Sequence, residues 1–299
     1  MINFFIMKNF FKLFSFILAF QLGVPQLKAQ HTEIGIGLGF STYWGDLNTP
    51  SFTSNLFNNS GLAIQLSGRK IYNNRFGIRG SIMYGRVRGN DAKSDIEWQY
   101  QRNLNFRSSI IEGAIMAEYY ILGFDETPGS NIISPYITAG LSIFRFDPTT
   151  NYRGSEVRLQ PLGTEGQGQA PYGDKYSLNA IGIPFGGGLK FTISSTINIS
   201  TEIILRRTNT DFLDDVSSIY VSYPELSRIN GTLAANLSSR TNEYFGQSEP
   251  IVRETGSQRG GAKVKDYFFT SMVTLNILLT DGKGRSLLGR NKILCPSFK

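Results

Sequence analysis

Residues 32–44 read TEIGIGLGFSTYW, and Ile34, Ile36, Leu38 and Phe40 alternate there with Gly35, Gly37, Gly39 and Ser41. A period of two is that of a β-strand. One face is wholly apolar, while the other offers little but hydrogen atoms and one hydroxyl. Such a strand packs poorly against a second sheet. It suits a closed barrel whose outer face meets lipid and whose inner face lines a narrow, crowded lumen. Glycine weakens a strand by exposing backbone and enlarging the unfolded ensemble, so its repeated use here implies close approach or tight curvature. A strand of a soluble sandwich is the competing reading.

The alternation recurs seven more times, near residues 61–71, 76–87, 106–120, 135–146, 176–191, 198–208 and 266–279. An even total of eight matters, because a bilayer supplies no water to an open sheet edge, and an even antiparallel count brings both ends of the sheet to one side. The links then sort by parity. Long ones (45–60, 88–105, 147–175, 209–265) alternate with shorter ones (72–75, 121–134, 194–197). A soluble Greek key has no reason to collect its long loops on one face. The expected fold class is therefore all-β: an eight-stranded antiparallel transmembrane β-barrel with long extracellular loops and short periplasmic turns.

The ends of the chain read differently. Residues 1–29 resemble a secretory signal peptide, with Lys8 and Lys12 ahead of an apolar run from Leu13 to Leu22 and a small residue, Ala29, at the cleavage position. The barrel is expected over 30–280 and a basic periplasmic tail over 281–299. Past Gln30 no window reaches the roughly eighteen apolar residues of a spanning helix. The single cysteine, Cys295, rules out an internal disulfide framework and a zinc–cysteine cluster. The net charge of +7 is scattered among acids, with no basic stripe of the nucleic-acid kind.

Taking the apolar positions, such as Leu141 and Ile181, as lipid-facing leaves Gln65, Arg69, Arg79, Glu112, Glu118, Lys190, Glu202 and Arg206 for the lumen. An eight-stranded barrel has room inside only for side chains, so these nearly balanced charges should pair into a structural plug. A selective pore or a proton relay is the functional alternative. Pro184 cannot donate to a ladder, and a bulge over 184–188 is expected there.

No constellation for catalysis stands out. His31, the only histidine, sits at the expected mature N-terminus, on the side opposite the long loops, so a serine or cysteine nucleophile on the loops would lack an imidazole base. Asp211, Asp214 and Asp215 could bind a hard cation or act as a dyad, but adjacent acids in a loop more often cap backbone. The glycine-rich run 182–188 lacks the lysine and helix start of a phosphate loop and reads as strand curvature. No catalytic residue, metal, cofactor or small-molecule substrate is expected.

Three segments carry a resemblance. Tyr43-Trp44-Gly45-Asp46 within STYWGDL (41–47), the loop QPLGTEGQG (160–168), and Phe212-Leu213-Asp214-Asp215 within RRTNTDFLDDV (206–216) together resemble the PorG-like outer-membrane barrels of the type IX secretion system. The resemblance implies a non-enzymatic barrel in outer-membrane lipid that associates with the periplasmic ring subunits of that machine. The alternative is a small structural or surface-binding barrel that uses its extracellular loops, 147–175 and 209–265, to bind an external ligand. The tail offers Leu287 and Leu288 as apolar anchors and Arg285, Arg290 and Lys292 as cations for docking a periplasmic partner; a solvated, flexible end is the competing reading.

Overall fold

The structure, a computed structural model, describes residues 29–47, 55–56, 59–125, 133–261 and 263–280. The expected signal segment, apart from Ala29, and the whole expected tail, with Arg285, Leu287, Leu288, Arg290 and Lys292, lie outside the described residues.

Among the described residues, nine strands follow in chain order: β1 (Ala29–Trp44), β2 (Ser60–Tyr72), β3 (Phe76–Asn90), β4 (Asn105–Tyr120), β5 (Ile133–Tyr152), β6 (Ser155–Arg158), β7 (Asn179–Thr192), β8 (Ile197–Thr208) and β9 (Tyr267–Leu278). All pairings are antiparallel, β1 pairs with both β2 and β9, and β4 with β5, so the sheet closes into a barrel. Eight strands make the wall. The ninth, β6, pairs only with the far end of β5 as a hairpin that projects beyond the barrel. The alternation anticipated this wall well, because lipid-side and lumen-side residues differ in polarity at every second position. Ile34, Ile36, Leu38 and Phe40 are exposed on the outside, and Leu62 and Ile143 keep 73% and 71% of their surface. A continuous outer belt of this kind is far larger than the apolar patches of water-soluble monomers.

The glycines do what their spacing implied. A Cβ on Gly39 would lie 2.0 Å from the Ser271 carbonyl oxygen of the neighbouring strand, and one on Gly186 would lie 2.1 Å from that of Ile203. The strands curve there so closely that only hydrogen fits. The bulge expected over 184–188 is absent, which corrects the sequence reading. The β5–β7 ladder runs from Ile133–Phe191 to Ala139–Phe185 and resumes at Ser142–Gly182 in the same register. The ladder gap falls at Pro184, whose nitrogen has no hydrogen to offer, so no extra residue is needed.

The short links, the described ends of the chain and the long loops sort to opposite ends as the parity argument required. Turns 73–75 and 193–196 lie at one end with Ala29 and Leu278. At the other end the long links are not loose. Short helices, Glu97–Arg102, Tyr223–Ile229, Thr232–Ser238 and Thr241–Tyr244, fold over the barrel mouth as a cap.

Candidate functional site

Two arrangements concentrate charge away from water: the lumen and the cap. Within the lumen, Gln65, Arg69, Arg79, Glu112, Glu118, Lys190, Glu202 and Arg206 are all buried, as the alternation predicted. Arg69 and Arg79 are direct cross-strand partners, a repulsive placement by itself. Glu118 lies between them, with its carboxylate 2.7 Å from Arg69 Nε and 3.2 Å from Arg79 Nε. Arg79 Nη1 donates to Glu202 Oε2 at 2.6 Å, and Tyr136 donates to the same oxygen at 2.8 Å. Nearer the loops, Arg206 Nε donates to both oxygens of Glu112, at 3.0 and 2.9 Å.

Sequence reasoning missed Glu33. Its carboxylate accepts from Arg69 at 3.0 Å, from Lys190, and from Asn198 at 2.9 Å. Arg69, Arg79, Lys190 and Arg206 thereby meet Glu33, Glu112, Glu118 and Glu202, four charges of each sign. Below this network, toward the turns, Ile71, Tyr120, Phe124, Tyr136 and Leu278 form an apolar floor. Above it, a larger apolar layer that includes Phe144, Phe268 and Met272 seals the barrel toward the cap. Lys190 Nζ lies 4.4 Å from the Phe124 ring centre, a cation over an aromatic face. His31 stands at this turn end, its ring edge-on to Phe124 at 5.3 Å, at the opposite end of the barrel from the cap.

The cap brings together all three segments that carried the family resemblance. Tyr43, the second-to-last residue of β1, donates toward Asp214 Oδ2 at 2.6 Å and toward Asp266 Oδ1 at 3.1 Å. Gly45 is required beside it, since a Cβ there would lie 2.0 Å from the Tyr43 hydroxyl. Asp46 Oδ2 accepts from the Gly261 amide at 2.9 Å. Leu213 is fully buried, and Phe212 stacks flat on Tyr176 at 4.4 Å. Asp215 accepts from Tyr176 at 2.6 Å and from Thr164 at 2.5 Å, which ties in the 160–168 loop. Trp44 is half-buried, opposite Tyr267 at the rim.

Two arginines bind these loops into one body, and neither was singled out by sequence. Arg102 grips Asp91 with two hydrogen bonds, at 2.6 and 2.9 Å, and donates to the carbonyls of Asp46 and Arg259, each at 2.8 Å. Arg259 donates to Glu165 Oε1 at 2.8 Å and to the Asp215 carbonyl at 2.6 Å. No periodicity connects these partners; the Glu165–Arg259 pair spans 94 positions. Burial raises Asp211, Asp214, Asp215 and Asp266 of the cap. It lifts Asp214 well above the ordinary value, aided by the charge of Asp46, and lifts Asp266 likewise, aided by Asp214. It raises Asp215 to about 6 although Arg259 pulls the other way, and Asp211 to about 6 against the hydrogen bond from Ser217. One Tyr43 proton cannot satisfy two ionised acids, so the Asp214–Asp266 pair favours holding a proton. The carboxylates are committed to backbone amides, hydroxyls and arginines. The arrangement locks loops together.

Among solved structures, the chain is similar to Neisserial surface protein A, with 10% identity over 82% of this chain and 96% of that one and a TM-score of 0.38. It is similar to Ail, the attachment invasion locus protein of Yersinia pestis, with 12% identity, coverage of 84% and 99% and a TM-score of 0.36. The outer-membrane protein OprG of Pseudomonas aeruginosa gives 10% identity, coverage of 84% and 98% and a TM-score of 0.36. No curated protein matches the chain. Residues 11–240 match the family described as Domain of unknown function (DUF6089), and the chain belongs to that family.

Proposed function

We propose that the protein sits in the outer membrane as a non-enzymatic, non-conducting barrel and serves as an anchored component of the type IX secretion machinery, in contact with its periplasmic ring. The observation that carries this reading is the sealed lumen. Among the described residues, four buried ion-paired cations and four carboxylates fill the lumen between two apolar layers, which favours a role at the two ends of the barrel over passage of a solute. The outer apolar belt supports a membrane-spanning wall. The secretion assignment rests on the resemblance of the 41–47, 160–168 and 206–216 segments, which interlock in one cap.

A second reading, a structural or surface-binding barrel, is favoured by that cap, because a rigid body built from loops presents a fixed surface outward. The two readings predict partners at opposite ends. Purification from detergent, with identification of co-purifying envelope proteins, tests them when run on the full chain and on a truncation after Thr280. Loss of periplasmic partners on truncation, with folding intact, supports docking through Arg285, Leu287, Leu288, Arg290 and Lys292. Retention of the same partners moves the contact to the turns, and absence of any secretion subunit in either preparation removes the type IX reading.

A further inference from the structure

On the outer wall, where the apolar belt meets the loop-rich end, Arg86 and Arg88 of β3 and Arg107 of β4 point away from the lumen and are exposed. Arg88 and Arg107 are direct cross-strand partners, and Arg86 lies two positions along on the same face, opposite Ser109. Like charges facing each other across a ladder weaken it. Among the described residues none of the three forms an ion pair. Two acids lie nearby: Asp147 pairs with Arg158 at 2.9 Å, and Glu156, which accepts from Thr149 at 2.7 Å, keeps its charge beside the arginines, so the patch as a whole remains positively charged. Lys93 adds a further positive charge on the loop side.

The surface beneath the arginines has the opposite character. A groove of about 300 Å³ is lined by all three and by Phe40 and Leu62. Those two side chains are cross-strand partners on β1 and β2 and are widely exposed, so the floor of the groove continues into the apolar belt. An adjoining cavity of about 370 Å³ shares Arg88 and Arg107 and is lined also by Lys93, Asn90, Asn105 and one acid, Glu156. Cations at the edge of a lipid belt, above an apolar floor and beside amide groups, match an amphiphile whose head carries phosphate and hydroxyl groups. Guanidinium forks bind phosphate bidentately, and a free anion would gain nothing from Phe40 and Leu62.

We propose that this patch binds the phosphorylated head of an outer-leaflet glycolipid, with the acyl chains lying over Phe40 and Leu62. The inference rests on the membrane reading above, with the loops outward. The excess positive charge of the patch, where Arg86 Nε is held by the Tyr84 hydroxyl at 3.1 Å, is then met by the membrane, and the lipid fixes the barrel's depth on the β3–β4 side.

The test uses full-length protein in nanodiscs, with purified lipopolysaccharide or the same lipid after removal of its phosphates, and measures lipid retained per barrel. At about a factor of five per surface charge, the R86Q/R88Q/R107Q variant should bind intact lipid on the order of a hundredfold more weakly. A control, R145Q/R207Q, removes two exposed arginines elsewhere on the outer wall and should bind as the wild type does. Dephosphorylated lipid should bind the wild type no better than intact lipid binds the triple variant. Equal retention by wild type and triple variant, equal binding of the two lipids, or inorganic phosphate binding as tightly as the lipid would each overturn the site. Heat-modifiable gel mobility is read in parallel: a wild type that folds but retains no lipid overturns this inference alone, and one that never shows the folded band overturns the membrane reading with it.

Discussion

The Tyr43 hydroxyl lies 2.6 Å from Asp214 Oδ2, joining the end of the first strand to a loop residue 171 positions later. The same hydroxyl reaches Asp266, which in turn accepts from the Leu213 amide at 2.9 Å. This is the point where the barrel wall holds its cap. Replacing Tyr43 with phenylalanine deletes the hydroxyl that reaches both acids and should cost about 1–3 kcal/mol, as for a buried polar group left without its partner. The loss should be local. Amide exchange should quicken across 209–261 while the unboiled protein keeps its folded gel mobility; exchange unchanged there would mean that the hydroxyl does not hold the cap.

A second expectation concerns the two faces of one strand. Leu141 is 66% exposed on the outer wall, whereas its neighbour Ser142 is 3% exposed and faces the lumen. Leu141→Arg should destabilise the folded barrel by roughly 2–4 kcal/mol in a bilayer if the position lies at the midplane, and Ile181→Arg on β7 should behave alike. Ser142→Arg should be worse. It forces a long cation into a lumen where a Cβ on Gly182 would already come within 2.6 Å of the Ser142 oxygen. Urea unfolding in lipid vesicles gives the order; equal costs at 141 and 142 would contradict the assigned faces.

The lumen invites a third test. Glu118→Gln removes the carboxylate between Arg69 and Arg79, leaves two facing cations less compensated, and should cost about 3–5 kcal/mol. Reconstituted wild type should show no stable conductance in planar bilayers. Large ion-selective currents that change with Arg79 or Glu118 substitutions would make the barrel a channel.

The wall and the lumen were legible because closure imposes a strict period of two. Once Ile34 and Ile36 point outward, Arg79 and Glu118 must point inward, and each expected lumen charge is buried. Glu33 escaped notice because it precedes the clear alternation, where a polar residue reads as a strand end. Its partner Lys190 lies 157 positions away, and no local pattern links them. The cap was illegible for the same reason on a larger scale. Asp214 and Asp215 read as loop-capping acids, and both do bond locally or through hydroxyls, but their burial depends on Tyr43, Tyr176 and Arg259 arriving from other loops. Pro184 was misjudged because the missing donor could be absorbed by a gap in the ladder as well as by a bulge.

The cap should loosen as pH rises, against the usual behaviour of salt-bridged carboxylates. Burial raises Asp211 and Asp215 from the ordinary 3.8 to about 6, and the same cause raises Asp46, Asp91, Asp214 and Asp266. Between those values the folded cap holds more protons than the unfolded chain, so stability falls with pH across that window. The contribution is fully present below about 4 and lost as pH passes through about 6 for Asp211 and Asp215. Arg102, Arg259 and Lys265 oppose the trend by favouring ionised acids, but burial outweighs them at each of these residues. Amide protection over 209–261, corrected for intrinsic exchange, should therefore be higher at pH 4.5 than at pH 7. Asp215→Asn copies the protonated acid in shape and charge, keeps an oxygen for the Tyr176 hydroxyl, and should flatten part of that slope. Protection that rises with pH across the window would show that the arginines, rather than burial, govern these acids.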